Sequence, residues 1–174
     1  MTITRLMVPA SAMATGLLCG CAFFAGGSIT DKAARTERMQ CEAATTQEDL
    51  RVLETTPVVD VEGRYAYHES GMGHVTGTRI ILRPPPGISS ARMTRILQCH
   101  SARLVLGRPE GVALPSDPYV LPESWLDIDV KEEEGNYVAI VSAETVTGNL
   151  QVLHRAQAYA AAQRAKGQPA QPAM

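Results

Sequence analysis

The chain is 174 residues long, 45% hydrophobic and 20% charged, values that fit one modest globular domain rather than two. Its formal charge is −2 and no stretch concentrates Lys and Arg, so nucleic acid is excluded as an expected partner. Both phenylalanines, Phe23 and Phe24, lie near the N-terminus. The folded part must therefore build its core from Leu, Ile, Val, Met and Ala, with Trp125 and the tyrosines.

The first residues read as a targeting segment rather than as part of the fold. Arg5 supplies the positive charge, and Leu6 to Leu18 is an uncharged, largely apolar run. The run ends in Leu18-Cys19-Gly20-Cys21, which resembles the lipobox of bacterial lipoproteins, with Leu at −3, Gly at −1 and Cys at +1. That resemblance implies diacylglycerol on the Cys21 sulfur, cleavage before it, and acylation of the new N-terminus. Cys19 is a poor alternative, because Leu18 is too large for the position before the cut. An uncleaved anchor over Leu6–Gly27 competes with this reading, since 22 residues come near the ~20 needed to span a bilayer. Pro9, Ser11, Thr15, Gly16 and Gly20 dilute that run as a membrane helix. Either way the expected address is the cell envelope. In a Gram-negative host, Ala22 in place of the Asp retention signal implies the periplasmic face of the outer membrane. The membrane, reached through the lipid, and a protein of the envelope are then the expected partners.

The expected organisation is signal peptide 1–20, lipidated tether 21–28, one α+β domain 29–165, and a disordered tail 166–174. Asp31 to Leu53 is helix-prone with a break near Ala44-Thr45-Thr46, where Thr45 with Glu48, or Thr46 with Asp49, fits a capping box. Pro57 ends this segment. Val58–Val61 and Arg64–His68 predict one strand or a bent pair, Glu69–Gly73 a turn, and Val75–Arg83 the partner strand. Pro84-Pro85-Pro86-Gly87 then carries the chain out of the sheet. Ser89 or Ser90 caps a helix reaching Leu106, and Gly107 stops it. Arg108–Glu123, with Pro109, Pro115, Pro118 and Pro122, predicts a surface loop. Trp125–Val130 alternates as a strand, Glu133–Asn136 is an acidic turn, and Tyr137–Ala143 is an apolar strand. Thr147-Gly148-Asn149 opens a last helix to about Arg164. The pattern is two ββα units, giving a small antiparallel sheet with both helices on one face, preceded by an N-terminal helical segment.

Few residues carry candidate chemistry. On the wheel of the 90–106 helix, Met93, Ile96, Leu97, His100 and Leu104 share one stripe, while Cys99 falls on another side with Arg92, Arg95 and Arg103. With Cys21 consumed by lipid and Cys19 removed, Cys41 and Cys99 are left as an even pair. Outside the cytoplasm that pair reads as a disulfide; the alternative is a reactive Cys99 thiolate among the arginines. His100 reads either as a core histidine or, with His68, Met72 and His74, as part of a copper or zinc site. His154 carries no assignment. Glu132-Glu133-Glu134 reads as a solvated turn. No nucleophile elbow and no phosphate loop occurs, so no catalytic residue and no cofactor is assigned.

The stretch Gly77–Gly87 together with Cys99-His100-Ser101-Ala102-Arg103 resembles exported proteins of myxobacterial type, over about Val75 to Gln163, and that resemblance implies no activity or ligand. The expectation is a lipid-anchored, non-enzymatic binding or assembly module, with a periplasmic metal-binding protein as the alternative.

Overall fold

The computed structural model describes residues 27–41, 47–67, 73–108 and 116–167. In chain order the elements are α1 (Ile29–Gln40), α2 (Gln47–Thr55), β1 (Val58–Tyr67), β2 (Gly73–Leu82), α3 (Ser90–Val105), β3 (Leu126–Glu133), β4 (Asn136–Ala143) and α4 (Val146–Gly167). The strands form one antiparallel sheet in the order β1-β2-β4-β3. The fold is α+β, with two hairpins side by side and β2 and β4 joined at the middle.

Each hairpin is set by its local chemistry. Glu134 and Gly135 both adopt positive φ, 50° and 75°, as the two-residue turn between β3 and β4 requires. β1 is a single strand running through Glu62-Gly63, with an extra residue near Val59 that shifts its register against β2. Such a bulge bends the strand without ending it.

The period of two places Thr78, Ile80 and Leu82 of β2, Tyr137, Ala139 and Val141 of β4, and Leu126, Ile128 and Val130 of β3 on one face. The register lines these residues up across the strands. Met93, Ile96 and Leu97 of α3 and Val152, Ala156 and Ala160 of α4 complete the same core. Both long helices therefore cover a single face, each packing chiefly on the other unit's hairpin: α3 on β3, and α4 on β2 and β1. Neither unit buries its own strands alone.

The end of β4 is joined to the start of α4 by side chain and by space. Asn149 Oδ1 accepts from the Ala143 N–H at 2.7 Å, and its Nδ2 donates to the Ala143 carbonyl at 3.2 Å. Gly148 is needed at this approach, because a Cβ there would lie 2.7 Å from that of Ala143.

Several boundaries move. Ser28, placed by the sequence in the tether, is the N-cap of α1: its Oγ accepts from Asp31 N while Asp31 accepts from Ser28 N, both at 3.1 Å. This reciprocal pair starts the helix two residues before Asp31. The alternative boxes at Thr45 and Thr46, the strand end at His68 and residues 69–72 of the expected turn lie outside the described residues, and Gly73 already belongs to β2. At the other end α4 continues through Lys166 to Gly167, past the expected start of the tail. Glu133 is not a solvated turn residue. Its carboxylate takes Arg79 Nη2 at 2.8 Å, while Arg79 Nε lies 3.2 Å from Glu62, an ion-pair bridge from β3 to β1 over the sheet's second face.

Thr78 is fully buried, and its hydroxyl finds no hydrogen-bond partner. An unpaired hydroxyl in an apolar core costs on the order of 1–3 kcal/mol, and Val has nearly the same shape. Thr78→Val is therefore expected to raise stability by about 1 kcal/mol in urea denaturation without changing the slope of the transition.

Candidate functional site

The polar groups with chemical potential gather on α3. Cys99 is bonded to Cys41, with Cα atoms 5.6 Å apart and 58 residues between them in sequence. Cys41 caps the C-terminus of α1, so the bond pins the end of that helix to the middle of α3. This decides between the two readings of Cys99: it is a bridge, and no thiolate is present.

The surroundings of Cys99 differ from a flat helical wheel. Arg95 is exposed, but Cys99, Ala102 and Arg103 are buried, because a second cluster of Ala33, Ala102 and Trp125 lies between α1 and α3. The side of α3 that carries Cys99 and the arginines is covered by α1, as the disulfide reading implied. Arg92 joins α3 to α2 instead, 3.4 Å from Asp49 and 3.6 Å from Glu48. Arg108 reaches Glu37 of α1 at 2.9 Å, and Lys32 of α1 pairs with Glu144.

One turn from these, His100 Nε2 meets Asp117 Oδ2 at 2.6 Å, with each side chain only 10% exposed. Asp117 Oδ1 accepts from the Tyr119 N–H at 2.9 Å, closing a turn that Asp followed by Pro favours. Facing a carboxylate, Nε2 carries a ring proton and donates it to Asp117. Nδ1 is buried and has no partner.

An aspartate holding one ring nitrogen of a histidine is the acid–base half of a hydrolytic triad. The surroundings argue for a different role. The cleft between α2 and α3, lined by Asp49, Leu50, Leu53, Ile96, Cys99, His100 and Arg103, holds about 20 Å³, on the order of one water. Nδ1 exposes less than 1 Å², so no substrate carbon can approach it. The pair acts as a latch that fixes the Asp117–Leu121 segment against α3. Tyr119, beyond it, is buried between Met93, Leu97 and Tyr159. Burial first, then the nearby Tyr159 and Asp117 oxygens, pushes its phenol far above the ordinary value.

The other expected site residues are less concentrated. His74 opens β2 opposite Ala66 and is half-buried, and His154 is exposed on α4. Cys21, His68 and Met72 lie outside the described residues. Among the described residues no three His, Cys, Asp or Glu side chains come together to hold a metal ion, and none of the helices there is long and apolar enough to cross a membrane. The copper or zinc reading gains no geometry from His100, whose Nε2 is engaged by Asp117. Asp117 was absent from the expected site. Its only signal in the sequence was Asp117-Pro118, which marks a turn without naming the histidine it meets.

Removing one side of a buried, charge-assisted pair costs roughly 1.5–3 kcal/mol. Asp117→Ala is expected to lose stability in that range, read by urea denaturation of the oxidised domain. The buried Tyr119 makes a separate prediction. Its folded pKa is raised above the unfolded value near 10, so its contribution to stability is whole below about pH 10 and is lost as pH climbs beyond it. Tyr119→Phe should flatten the decline in melting temperature between about pH 10 and pH 11.5; an unchanged decline would show that other groups set it. No family model, no curated protein and no solved structure matches this chain.

Proposed function

We propose that the protein is an exported lipoprotein, anchored through Cys21, whose folded part is a non-enzymatic binding or assembly module of the cell envelope. In a Gram-negative host its place is the periplasmic face of the outer membrane. The observation that carries this reading is the Cys41–Cys99 bond. Disulfides form and persist in oxidising compartments, and a leader ending in Leu18-Cys19-Gly20-Cys21 delivers the chain to one. Two of the four cysteines are then used by the leader and the lipid, and two by the bridge.

The module reading rests on how the polar groups are spent. His100 with Asp117, Arg92 with Glu48 and Asp49, Arg108 with Glu37, and Arg79 with Glu62 and Glu133 all join one element to another. Each is a fastening, while on the sheet's second face Asp60, Glu62, Asp127, Asp129 and Lys131 are exposed.

The anchor is tested by metabolic labelling with a tagged fatty acid in a bacterial host. Cys21→Ser should abolish labelling and block cleavage by the lipoprotein signal peptidase, whereas Cys19→Ser should change neither. Label retained on the Cys21→Ser protein would overturn the reading.

A further inference from the structure

The two edges of the sheet are treated differently. An edge strand presents unpaired N–H and C=O groups, and folded proteins usually cover or blunt them. On β3 they are covered: Gln98 Nε2 of α3 donates to the Ile128 carbonyl at 2.8 Å, and Thr94 Oγ1 accepts from the Val130 N–H at 2.9 Å. On β1, among the described residues, side chains reach the edge only in the N-terminal half. The Val58 N–H donates to Gln163 Oε1 at 2.9 Å, and the Val61 N–H donates to its neighbour Asp60 at 2.8 Å. The Arg64 carbonyl faces β2, where it accepts from Thr76 Oγ1 at 3.4 Å, so alternation along the strand turns Gly63 and Tyr65 outward.

The side chains beside this open edge are unusual for one left in water. Val59, Tyr65 and Tyr67 are 46%, 53% and 75% exposed. Arg64 is exposed and makes no ion pair among the described residues, while Glu62, on the same face of β1, is half-exposed with Arg79 on one side.

The geometry points to a second copy of this chain as the occupant, pairing β1 with β1 antiparallel about a two-fold axis at Gly63. In that register Glu62 of each copy stands opposite Arg64 of the other, twice, and Val61 opposite Tyr65, with Val59 and Tyr67 meeting at the ends. Opposite charges directly across a ladder stabilise it and like charges oppose it. Moving the axis to Glu62 would set the two Glu62 carboxylates against each other, so charge selects the Gly63 register. The result is one continuous sheet of eight strands, made by an interface in which each copy uses the same patch. A strand pairing of this length is weak by itself. Two lipid-anchored copies on one membrane meet at a high effective concentration, which favours it. This inference rests on the proposed reading of the protein as a lipid-anchored assembly module, and it names the partner.

The test uses the full lipidated chain, extracted from membranes in mild detergent and examined by sedimentation at micromolar concentration. The wild type is expected to dimerise, and Arg64→Glu, which sets four carboxylates around the axis, to weaken the dimer by roughly tenfold or more. A companion variant, Glu62→Cys with Arg64→Cys, should give intermolecular 62–64 disulfides in the membrane, located by peptide mass spectrometry. The same exchange at Asp129 and Lys131 on the covered edge should give none. A monomeric wild type, a dimer indifferent to Arg64→Glu, or equal cross-linking at the two edges would each overturn the pairing. If Arg64→Glu fails to fold, the cross-links decide. Lipid labelling of the same samples separates the two ideas: labelled monomers sink only the self-pairing, whereas an unlabelled wild type sinks the anchored reading itself.

Discussion

Helix α3 has to be buried on two sides at once, and most of the structure follows from that. Met93, Ile96 and Leu97 cover the sheet, while Ala102 lies in a separate cluster with Ala33 and Trp125. A sixteen-residue helix turned wholly toward the sheet would leave Cys99, Ala102 and Arg103 in water. The chain supplies α1 to cover them and closes the contact with the Cys41–Cys99 bond. On the chain-entropy model, a link across a loop of that length contributes roughly 4 kcal/mol by restricting the unfolded state. That is a large share of the ~5–15 kcal/mol that holds a domain of this size together.

The same helix also organises the sheet's margin. Thr94 and Gln98 reach over the edge to the backbone of β3, and one turn later His100 and Asp117 hold the segment that leads into that strand. Since α3 belongs to the first ββα unit and β3 to the second, these contacts sew the units together. α4 does the reverse, lying over β2 and β1. Gln163 Oε1 accepts from Val58 N, and its Nε2 donates to the Thr56 carbonyl at 3.3 Å. The exchange explains why two similar units make one domain. It also explains why polar residues are spent on fastening: the α3–β3 and α4–β1 contacts are each marked by side chains that satisfy backbone groups.

Much of this was legible in the residues. Alternation placed β3 and an apolar run β4, the Pro84–Gly87 run placed the exit from the sheet, and Ser89 and Gly107 bracketed α3 with the expected geometry, the latter at φ 68°. The even pair of cysteines led to the bridge by counting alone. The same bridge implied that the N-terminal helical segment lies over this side of α3, as α1 does; what a helical wheel could not show is how deeply that contact buries Arg103. Long-range polar pairs escaped for the same reason. Nothing local links Arg79 to Glu133, 54 residues away, or His100 to Asp117 across a proline-rich loop. Amphipathic patterns report which side of an element is buried, but they do not say against what. Capping at Ser28 was missed because the short Gly-rich stretch before it reads equally well as a tether.

The proposed export and the disulfide are tested together, because a bond such as the one that clamps α1 to α3 forms and persists chiefly in oxidising compartments. Its most direct measurement is differential alkylation in intact cells, with Cys41 and Cys99 followed by peptide mass spectrometry before and after reduction. The account predicts that neither is modified until a reductant is added, and that both are modified afterwards. Two cysteines alkylated in unreduced cells would contradict it, and would remove both the clamp and the argument for an extracytoplasmic address.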